Sequence, residues 1–244
     1  KHSGSGIIMS GVKGGLIDRC YAHDNGGSAG TPWGRGGPVG IWTWNSDSVT
    51  IQSSLVHDQK TTPGVKDGGG FDIDGGATNA IVQYCYAYNN EGPGYLVAVF
   101  NGSTKVDNAI FRYNISWRDG RRTGNNMASG FHFWKGSSTL SNVTVHNNFV
   151  YTEASTGGPA VVWQAGGMSG LRFWNNVFLV AGGEQIIRVD NDSARDAFTF
   201  QNNAYWAVDG DYSGGWRWGQ GTTFNTLSDW RLAYGAPETL DGDP

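Results

Sequence analysis

The sequence predicts an all-β protein, a parallel β-helix solenoid in which one two-strand unit recurs about seven times. Three observations lead to this fold: an internal repeat, an almost complete lack of helical periodicity, and a composition rich in glycine. Glycine accounts for 39 of the 244 residues, about twice its average usage. A repeat of about 20–50 residues that is built from short strands is typical of solenoid proteins.

The first strand of each unit is a short run in which apolar residues alternate, and most of these strands are led by glycine. Successive strands begin 24 to 36 residues apart. Their first residues are Gly6, Gly40, Gly70, Gly94, Gly130, Ala160 and Ile186. A propeller blade of four strands needs about 40 residues, so the unit is too short for a propeller. Strands of successive units therefore stack and pair in parallel, about 4.8 Å apart.

The second strand of each unit ends at a polar residue or a cysteine. The aligned positions are Cys20, Ser54, Cys85, Asn114, Asn148, Asn176 and Asn203. In a stack of rungs these side chains form one column inside a bend, where amides bond to each other and to the turning backbone. Ser54 separates the two cysteines by two rungs, roughly 9–10 Å, whereas a disulfide requires Cα atoms within about 7 Å. We therefore predict two free, buried thiols.

These repeated strands and their polar column resemble the right-handed parallel β-helix superfamily, which has the pectin-lyase-like fold. The resemblance covers roughly residues 5–208. It implies a carbohydrate-active enzyme with a polysaccharide or oligosaccharide partner, because members mostly bind such chains in a groove along the outward face. The motif sets of polygalacturonases and the Trp-Ile-Asp-His signature of pectate lyases are absent from the sequence. The resemblance therefore assigns no catalytic residue.

Charge and hydropathy argue against two classes of partner, nucleic acids and membranes. Only 16% of the residues are charged, and the formal net charge is −4. A nucleic-acid-binding protein usually carries a basic surface instead. No segment approaches the roughly 18 consecutive apolar residues of a membrane span. We expect a secreted monomer with neither a nucleic-acid nor a membrane partner.

Two parts of the chain differ from the repeat. Residues 1–208 are predicted to form the β-helix domain, and residues 209–244 a tail that packs along the solenoid. Within the tail, residues 226–235 have the pattern of a short helix, capped by Thr226 or Ser228. At the other end the chain begins almost inside a rung. Because uncovered edge strands favour aggregation, we expect further sequence upstream.

Alternate residues of each first strand point to opposite faces, which leaves two outward columns beside the apolar core. One column contains Ile8, Trp42, Asp72, Leu96, His132, Val162 and Arg188. The other contains Ser10, Trp44, Asp74, Ala98, Trp134, Gln164 and Asp190. Exposed aromatic patches usually mark binding sites. This face is therefore predicted to bind sugars, with Trp42, Trp44 and Trp134 as stacking platforms and Arg188 and Gln164 as further contacts. Alternatively, the tryptophans pack beneath the loops at 31–38 and 118–129.

Acidic residues are densest within residues 66–76. Asp72 and Asp74 are two positions apart on one strand, so their Cα atoms are roughly 6.5 Å apart. Asp67 precedes this strand, and Glu91 takes the same position one rung later, so the two are predicted to be neighbours. Clustered acids repel each other, which raises at least one pKa, as a general acid requires. Carboxylates about 5–9.5 Å apart can catalyse retaining or inverting glycoside hydrolysis.

The first functional hypothesis is a glycoside hydrolase that needs no cofactor. Its catalytic residues are Asp72 and Asp74 with either Asp67 or Glu91, and His132 takes part in acid–base catalysis or substrate contact. This acid cluster is what favours an enzyme over a non-catalytic carbohydrate-binding or adhesin module on the same solenoid, which is a further hypothesis.

The remaining hypothesis is a polysaccharide lyase or uronan epimerase. It would use His132 and Arg188, with Ca²⁺ held by Asp72 and Asp74, since Ca²⁺ prefers oxygen ligands. The same aspartate pair could also hold a purely structural cation. An acidic groove repels polyuronate unless a metal intervenes, which places this hypothesis second to hydrolysis.

Overall fold

The computed structural model describes residues 4–27, 37–61, 66–122, 127–153, 158–163, 166–233 and 238–239. The chain winds into a parallel β-solenoid in which each complete turn contributes one strand to each of three sheets. The predicted all-β parallel β-helix is therefore confirmed. The third sheet, which each complete turn crosses once, contains seven strands, in agreement with the repeat of about seven units.

The first sheet consists of the predicted leading strands, and its register follows the sequence alignment. Ile7 lies opposite Ile41, and Phe71 lies opposite Tyr95. Its parallel strands are Ile7–Ser10, Val39–Trp44, Gly69–Ile73, Tyr95–Val99, Phe131–Lys135, Val161–Trp163, Ile187–Val189 and Trp216–Trp218. The short strand Thr223–Phe224 pairs antiparallel with the last of them.

The other two sheets complete each turn. The second sheet contains Lys13–Asp18, Asp47–Gln52, Ile81–Gln83, Val106–Arg112, Leu140–His146, Leu171–Trp174, Phe198–Gln201 and Glu238–Thr239, with Met168–Ser169 paired beside Leu140–His146. The third sheet contains Tyr21–His23, Leu55–His57, Tyr86–Tyr88, Ile115–Trp117, Phe149–Glu153, Val177–Ala181 and Ala204–Ala207. The described helices are a 3₁₀ helix at Asp192–Ala197 and an α-helix at Leu227–Arg231. No described helix is long and apolar enough to cross a membrane.

Aromatic side chains stack inside the solenoid from one rung to the next. The ring centroids of Phe71 and Tyr95 are 5.4 Å apart, and those of Tyr95 and Phe131 are 4.9 Å apart. The buried Tyr95 hydroxyl lies 2.9 Å from the backbone carbonyl oxygens of both Cys85 and Ile115. The tyrosine thus fills the core without leaving a polar group unsatisfied, which would be costly.

The predicted polar column forms a hydrogen-bonded ladder. The backbone N–H of Asn114 donates to Asn148 Oδ1, that of Asn148 to Asn176 Oδ1, and that of Asn176 to Asn203 Oδ1, each at 3.0 Å. Glu238, which the sequence did not suggest for this role, ends the ladder by accepting bonds from Asn203 N and Nδ2. The column therefore continues into the C-terminal segment.

Both cysteines are free, as predicted. Cys85 is buried, but Cys20 is only half-buried, so the expectation of two buried thiols is wrong for Cys20. The physical reason is its place in the first described rung, where it packs against a neighbouring rung on one side only.

The C-terminal segment adds strands and a helix to the end of the core. Trp216–Trp218 pairs with Ile187–Val189 in the first sheet. The Thr226 side chain caps the α-helix by accepting a 3.0 Å hydrogen bond from Asp229 N, as the sequence suggested. Trp230 of this helix is fully buried, with its ring 5.2 Å from Phe200. The segment thereby covers the apolar end of the solenoid.

Candidate active site

The two outward columns of the first sheet have the predicted register. Trp42 lies opposite Asp72, Asp72 opposite Leu96, and Leu96 opposite His132. The expectation that this face is open to solvent is wrong at its centre. His132 is fully buried, and Asp72 is only 2% exposed.

A small apolar cluster outside the main core lies on the same face of the sheet. Met127, from the loop before the fifth strand of the sheet, packs with Leu96 and Ala98, and Trp134 packs against the three. This methionine belongs to no periodic pattern in the sequence. For Trp134, the arrangement agrees with packing beneath a loop rather than with an open platform.

Three aspartates form the charged centre of the site. Burial raises the pKa of Asp72 well above its usual range, and the neighbouring charges of Asp74 and Asp67 raise it further. Burial likewise raises the pKa of Asp74 to about 7, and the charge of Asp67 adds to this rise. Burial raises the pKa of Asp67 to about 6. The raised pKa values expected from the sequence are present, but desolvation of the carboxyl groups rather than repulsion between their charges is the largest cause.

Hydrogen bonds distinguish the three carboxyl groups. Asp74 Oδ1 accepts a 2.7 Å bond from Gly75 N, and Asp67 Oδ2 accepts a 3.1 Å bond from Gly37 N. Asp72 Oδ1 is buried and has no hydrogen-bond partner among the described residues. The same holds for the indole Nε1 of Trp42 on the adjacent strand. An acceptor and a donor without partners therefore lie on neighbouring strands of the site.

The backbone holds Asp67 in a left-handed conformation beside the next rung. Its φ is 67°, and Gly92 N donates to Gly68 O at 3.0 Å. A Cβ at position 92 would lie 2.1 Å from the carbonyl oxygen of Asp67, so only glycine fits there. This contact fixes the segment that carries Asp67 against the following turn.

Glu91 neighbours Asp67 along the backbone as predicted, but its carboxylate is held elsewhere. Glu91 Oε2 accepts a 2.6 Å bond from Thr61 N, and Oε1 lies 3.8 Å from Lys60 Nζ. Its charge is not among those that raise the pKa of the three aspartates. Glu91 thus secures the 60–61 segment at the edge of the site and is separate from the acid cluster.

The remaining predicted contacts are distributed along the sheet. Trp44 is half-buried, and its ring packs edge-on to Phe100 at 6.0 Å. Arg188 is two strands beyond His132 and donates to both oxygens of Asp190, at 2.9 and 3.2 Å. This pairing engages Nε of the guanidinium that was predicted to contact the sugar. Gln164 lies outside the described residues. Within the described part of the chain, no group of three or more His, Cys, Asp or Glu side chains is arranged to hold a metal ion.

Comparison with known families agrees with this architecture. The family described as "Right handed beta helix region" matches residues 1–150, more than half of the chain. The chain belongs to this right-handed β-helix family. No curated protein matches the sequence of this β-helix protein.

Among solved structures, the β-helix protein is similar to an alginate lyase from Paenibacillus sp. str. FPU-7. The two are 12% identical, and the likeness covers 90% of this chain and 92% of that chain with a TM-score of 0.33. The family match and the strand register, rather than this likeness, establish the fold.

Proposed function

We propose that the protein is a carbohydrate-active enzyme that cleaves glycosidic bonds of a polysaccharide or oligosaccharide by acid/base hydrolysis. The observation that carries this proposal is the pair Asp72 and Asp74. Asp72 lies on the strand Gly69–Ile73 and Asp74 follows directly after it, next to Trp42 and Trp44, and both carboxyl groups have raised pKa values. Two carboxyl groups in different protonation states are what glycoside hydrolysis requires.

The two aspartates take different roles because their environments differ. Asp72 is the more buried and has its pKa raised furthest above the usual range, so it keeps its proton at neutral pH. It donates this proton to the leaving glycosidic oxygen as the general acid. Asp74, with a pKa of about 7 and a bond from Gly75 N, ionises first. It acts as the base that activates water or as the nucleophile.

The neighbouring tryptophans position the sugar. Trp42 and Trp44 lie on the strand before the aspartates, and both are half-buried. The C–H face of a pyranose ring packs on an indole, while its hydroxyls bond to carboxylates and to the indole N–H. The unpartnered Trp42 Nε1–H is suited to donate a hydrogen bond to such a hydroxyl oxygen.

The other predicted residues act around this pair. Asp67 raises the pKa values of both catalytic carboxyl groups through its charge. His132 is separated from Asp72 by Leu96, a distance of roughly 9–10 Å between strands. It is too far for proton exchange with Asp72, and because it is fully buried we assign it no contact with the substrate.

A substrate panel with two active-site variants tests the proposal. Parent, Asp72→Asn and Asp74→Asn are assayed on neutral and acidic polysaccharides, with Ca²⁺ or with chelator. New reducing ends and the ultraviolet absorbance of unsaturated products are followed together. Asp107→Asn, which changes a strand aspartate of the second sheet, is the matched control.

The outcomes separate the three functional classes. Reducing ends that form without new absorbance, and disappear in both active-site variants but not in the control, support hydrolysis. Absorbance that requires Ca²⁺ would replace hydrolysis by the lyase alternative, with the aspartates as metal ligands. If the parent and all variants bind a polysaccharide without turnover, the non-catalytic carbohydrate-binding module would be the remaining hypothesis.

A further inference from the structure

A second concave surface, the corner groove, lies on the outside of the bend between the second and third sheets. Its residues belong to neither outward column of the first sheet. The groove is lined by Tyr113, Ile115, Asn147, Phe149, Asn175 and Val177, and continues along Arg172, Trp174, Thr199, Gln201 and Asn202. It therefore crosses several successive rungs.

The groove begins where tyrosine gives way to asparagine at one repeated position. Asn147, Asn175 and Asn202 occupy this position in three successive rungs, each in the left-handed conformation with φ between 54° and 55°. Tyr84 and Tyr113 occupy it in the two preceding rungs, with φ of 55° and 57°. Since tyrosine adopts the same backbone there, the conformation alone does not demand asparagine.

The exchange of rings for amides opens the concavity. The rings of Tyr84 and Tyr113 stack 5.1 Å apart and are 57% and 44% exposed. They fill the corner in their own rungs, and Tyr113 forms the end of the groove. From Asn147 onward the shorter amide side chains leave the space between the two sheets open.

The lining of the groove combines apolar side chains with amides, of which Asn147 and Asn175 are exposed. Trp174 stacks on His146 at 5.0 Å with an angle of 10° between the rings. The next residue in its column is Gln201, so the other face of the indole is directed towards that rung. Phe149 and Val177, which are neighbours in the third sheet, also line the groove. The lining thus alternates between ring surface and amide groups.

This chemistry identifies a class of ligand. Amides supply donors and acceptors in pairs, as sugar hydroxyls require, and aromatic rings pack against sugar C–H faces. No carboxylate lines the groove, and Arg172 is its one cation among the described residues. We propose that the corner groove is a second carbohydrate site that binds a neutral oligosaccharide without cleaving it. The choice of ligand rests on the proposed function.

Binding is tested in the Asp72→Asn/Asp74→Asn background, so that turnover does not consume the probe. Calorimetric titrations use neutral hexasaccharides of glucose, xylose and mannose, with an oligogalacturonate as the acidic probe. Trp174→Ala removes the indole ring that lines the groove. Asn175→Tyr refills the groove with the ring that Tyr113 carries at the equivalent position. Trp206→Ala is the matched control, because this tryptophan is 61% exposed but lies outside the groove.

The expected result is binding of at least one neutral hexasaccharide that weakens about tenfold in Trp174→Ala, as the loss of an aromatic contact predicts. Asn175→Tyr should weaken it at least as much, because the new ring occupies the space of the ligand. The Trp206→Ala control keeps its affinity. Equal affinity in all variants, binding of the acidic probe alone, or no binding of any probe would overturn the proposal. Turnover by the parent is scored separately. An inactive parent that still binds through the groove would contradict only the proposed hydrolysis.

Discussion

Trp42 and Asp72 lie opposite each other on neighbouring strands, and each buries a polar atom that has no hydrogen-bond partner among the described residues. One atom is a donor and the other an acceptor. Leaving such groups unsatisfied costs about 1–3 kcal/mol each, and sites that bind ligands are where proteins tolerate that cost. The pair is therefore the part of the first sheet most directly prepared for a substrate hydroxyl or a glycosidic oxygen.

Replacing Trp42 by phenylalanine keeps an aromatic ring and removes the unpartnered N–H. We expect kcat/KM to fall by about tenfold, which corresponds to one lost hydrogen bond in the transition state. The free energy of unfolding should change little, because removal of the unsatisfied N–H offsets the packing that the smaller ring loses. Steady-state kinetics and urea unfolding measure both quantities, with Trp206→Phe as the control. An unchanged kcat/KM would remove Trp42 from the site.

The pH dependence of the rate follows from the two catalytic pKa values. Activity requires ionised Asp74 and protonated Asp72, so the rate falls as pH drops below about 7 and falls again at higher pH. Asp67→Asn removes a charge that raises both pKa values, and the acid limb of the profile should move to lower pH. Glu91→Gln should leave that limb in place. A limb that stays fixed in Asp67→Asn would contradict the assigned coupling.

Asp119 makes the stability of the fold depend on pH. Burial raises its pKa to about 7, although Asn90 N, Asn90 Nδ2 and Ser116 Oγ all donate to its carboxyl oxygens. A folded-state pKa above the unfolded value contributes stability that is fully present below about pH 4 and is lost as pH rises through about 7. The free energy of unfolding of the parent should therefore fall between pH 5 and pH 8. In Asp119→Asn this fall should be smaller by about 1–3 kcal/mol. Denaturant unfolding at the two pH values measures it, and an identical loss in the variant would refute the assignment.

The asparagine ladder should be a main source of stability. Asn148 accepts one bond through Oδ1 and donates through Nδ2 to Phe111 O and to Asn176 Oδ1. We expect Asn148→Ala to lower the free energy of unfolding by about 2–4 kcal/mol, because buried backbone groups lose their partners. The exposed neighbour Asn147, replaced by glycine to keep its left-handed backbone, is the control. Similar stabilities of the two variants in urea would show that the ladder contributes little.

The register of the solenoid could be predicted because its signal is repeated in every rung. The alternation around Phe71, Tyr95 and Phe131 places aromatic rings inward, and a shift by one residue would turn them all outward. The column from Asn114 to Asn203 fixes the second sheet in the same way. Both features are local in sequence and recur at similar intervals, so the fold and the outward columns follow from them.

The surroundings of the site could not be predicted in the same way. Met127, which covers part of the first sheet, comes from a loop without any repeat. The pairing of Arg188 with Asp190 depends on side-chain rotamers, and Arg217 of the C-terminal segment also lies 3.3 Å from Asp190. These contacts depend on non-repeating segments and on side-chain rotamers, which periodicity does not describe.

We propose that Asp72 supplies the proton for glycosidic cleavage. The most direct test of this proposal is the rate at which parent and Asp72→Asn release reducing ends from the polysaccharide on which the parent is most active. We expect a loss of at least about a hundredfold in kcat, the usual contribution of a general acid, with substrate affinity retained. Undiminished release of reducing ends by Asp72→Asn would contradict it.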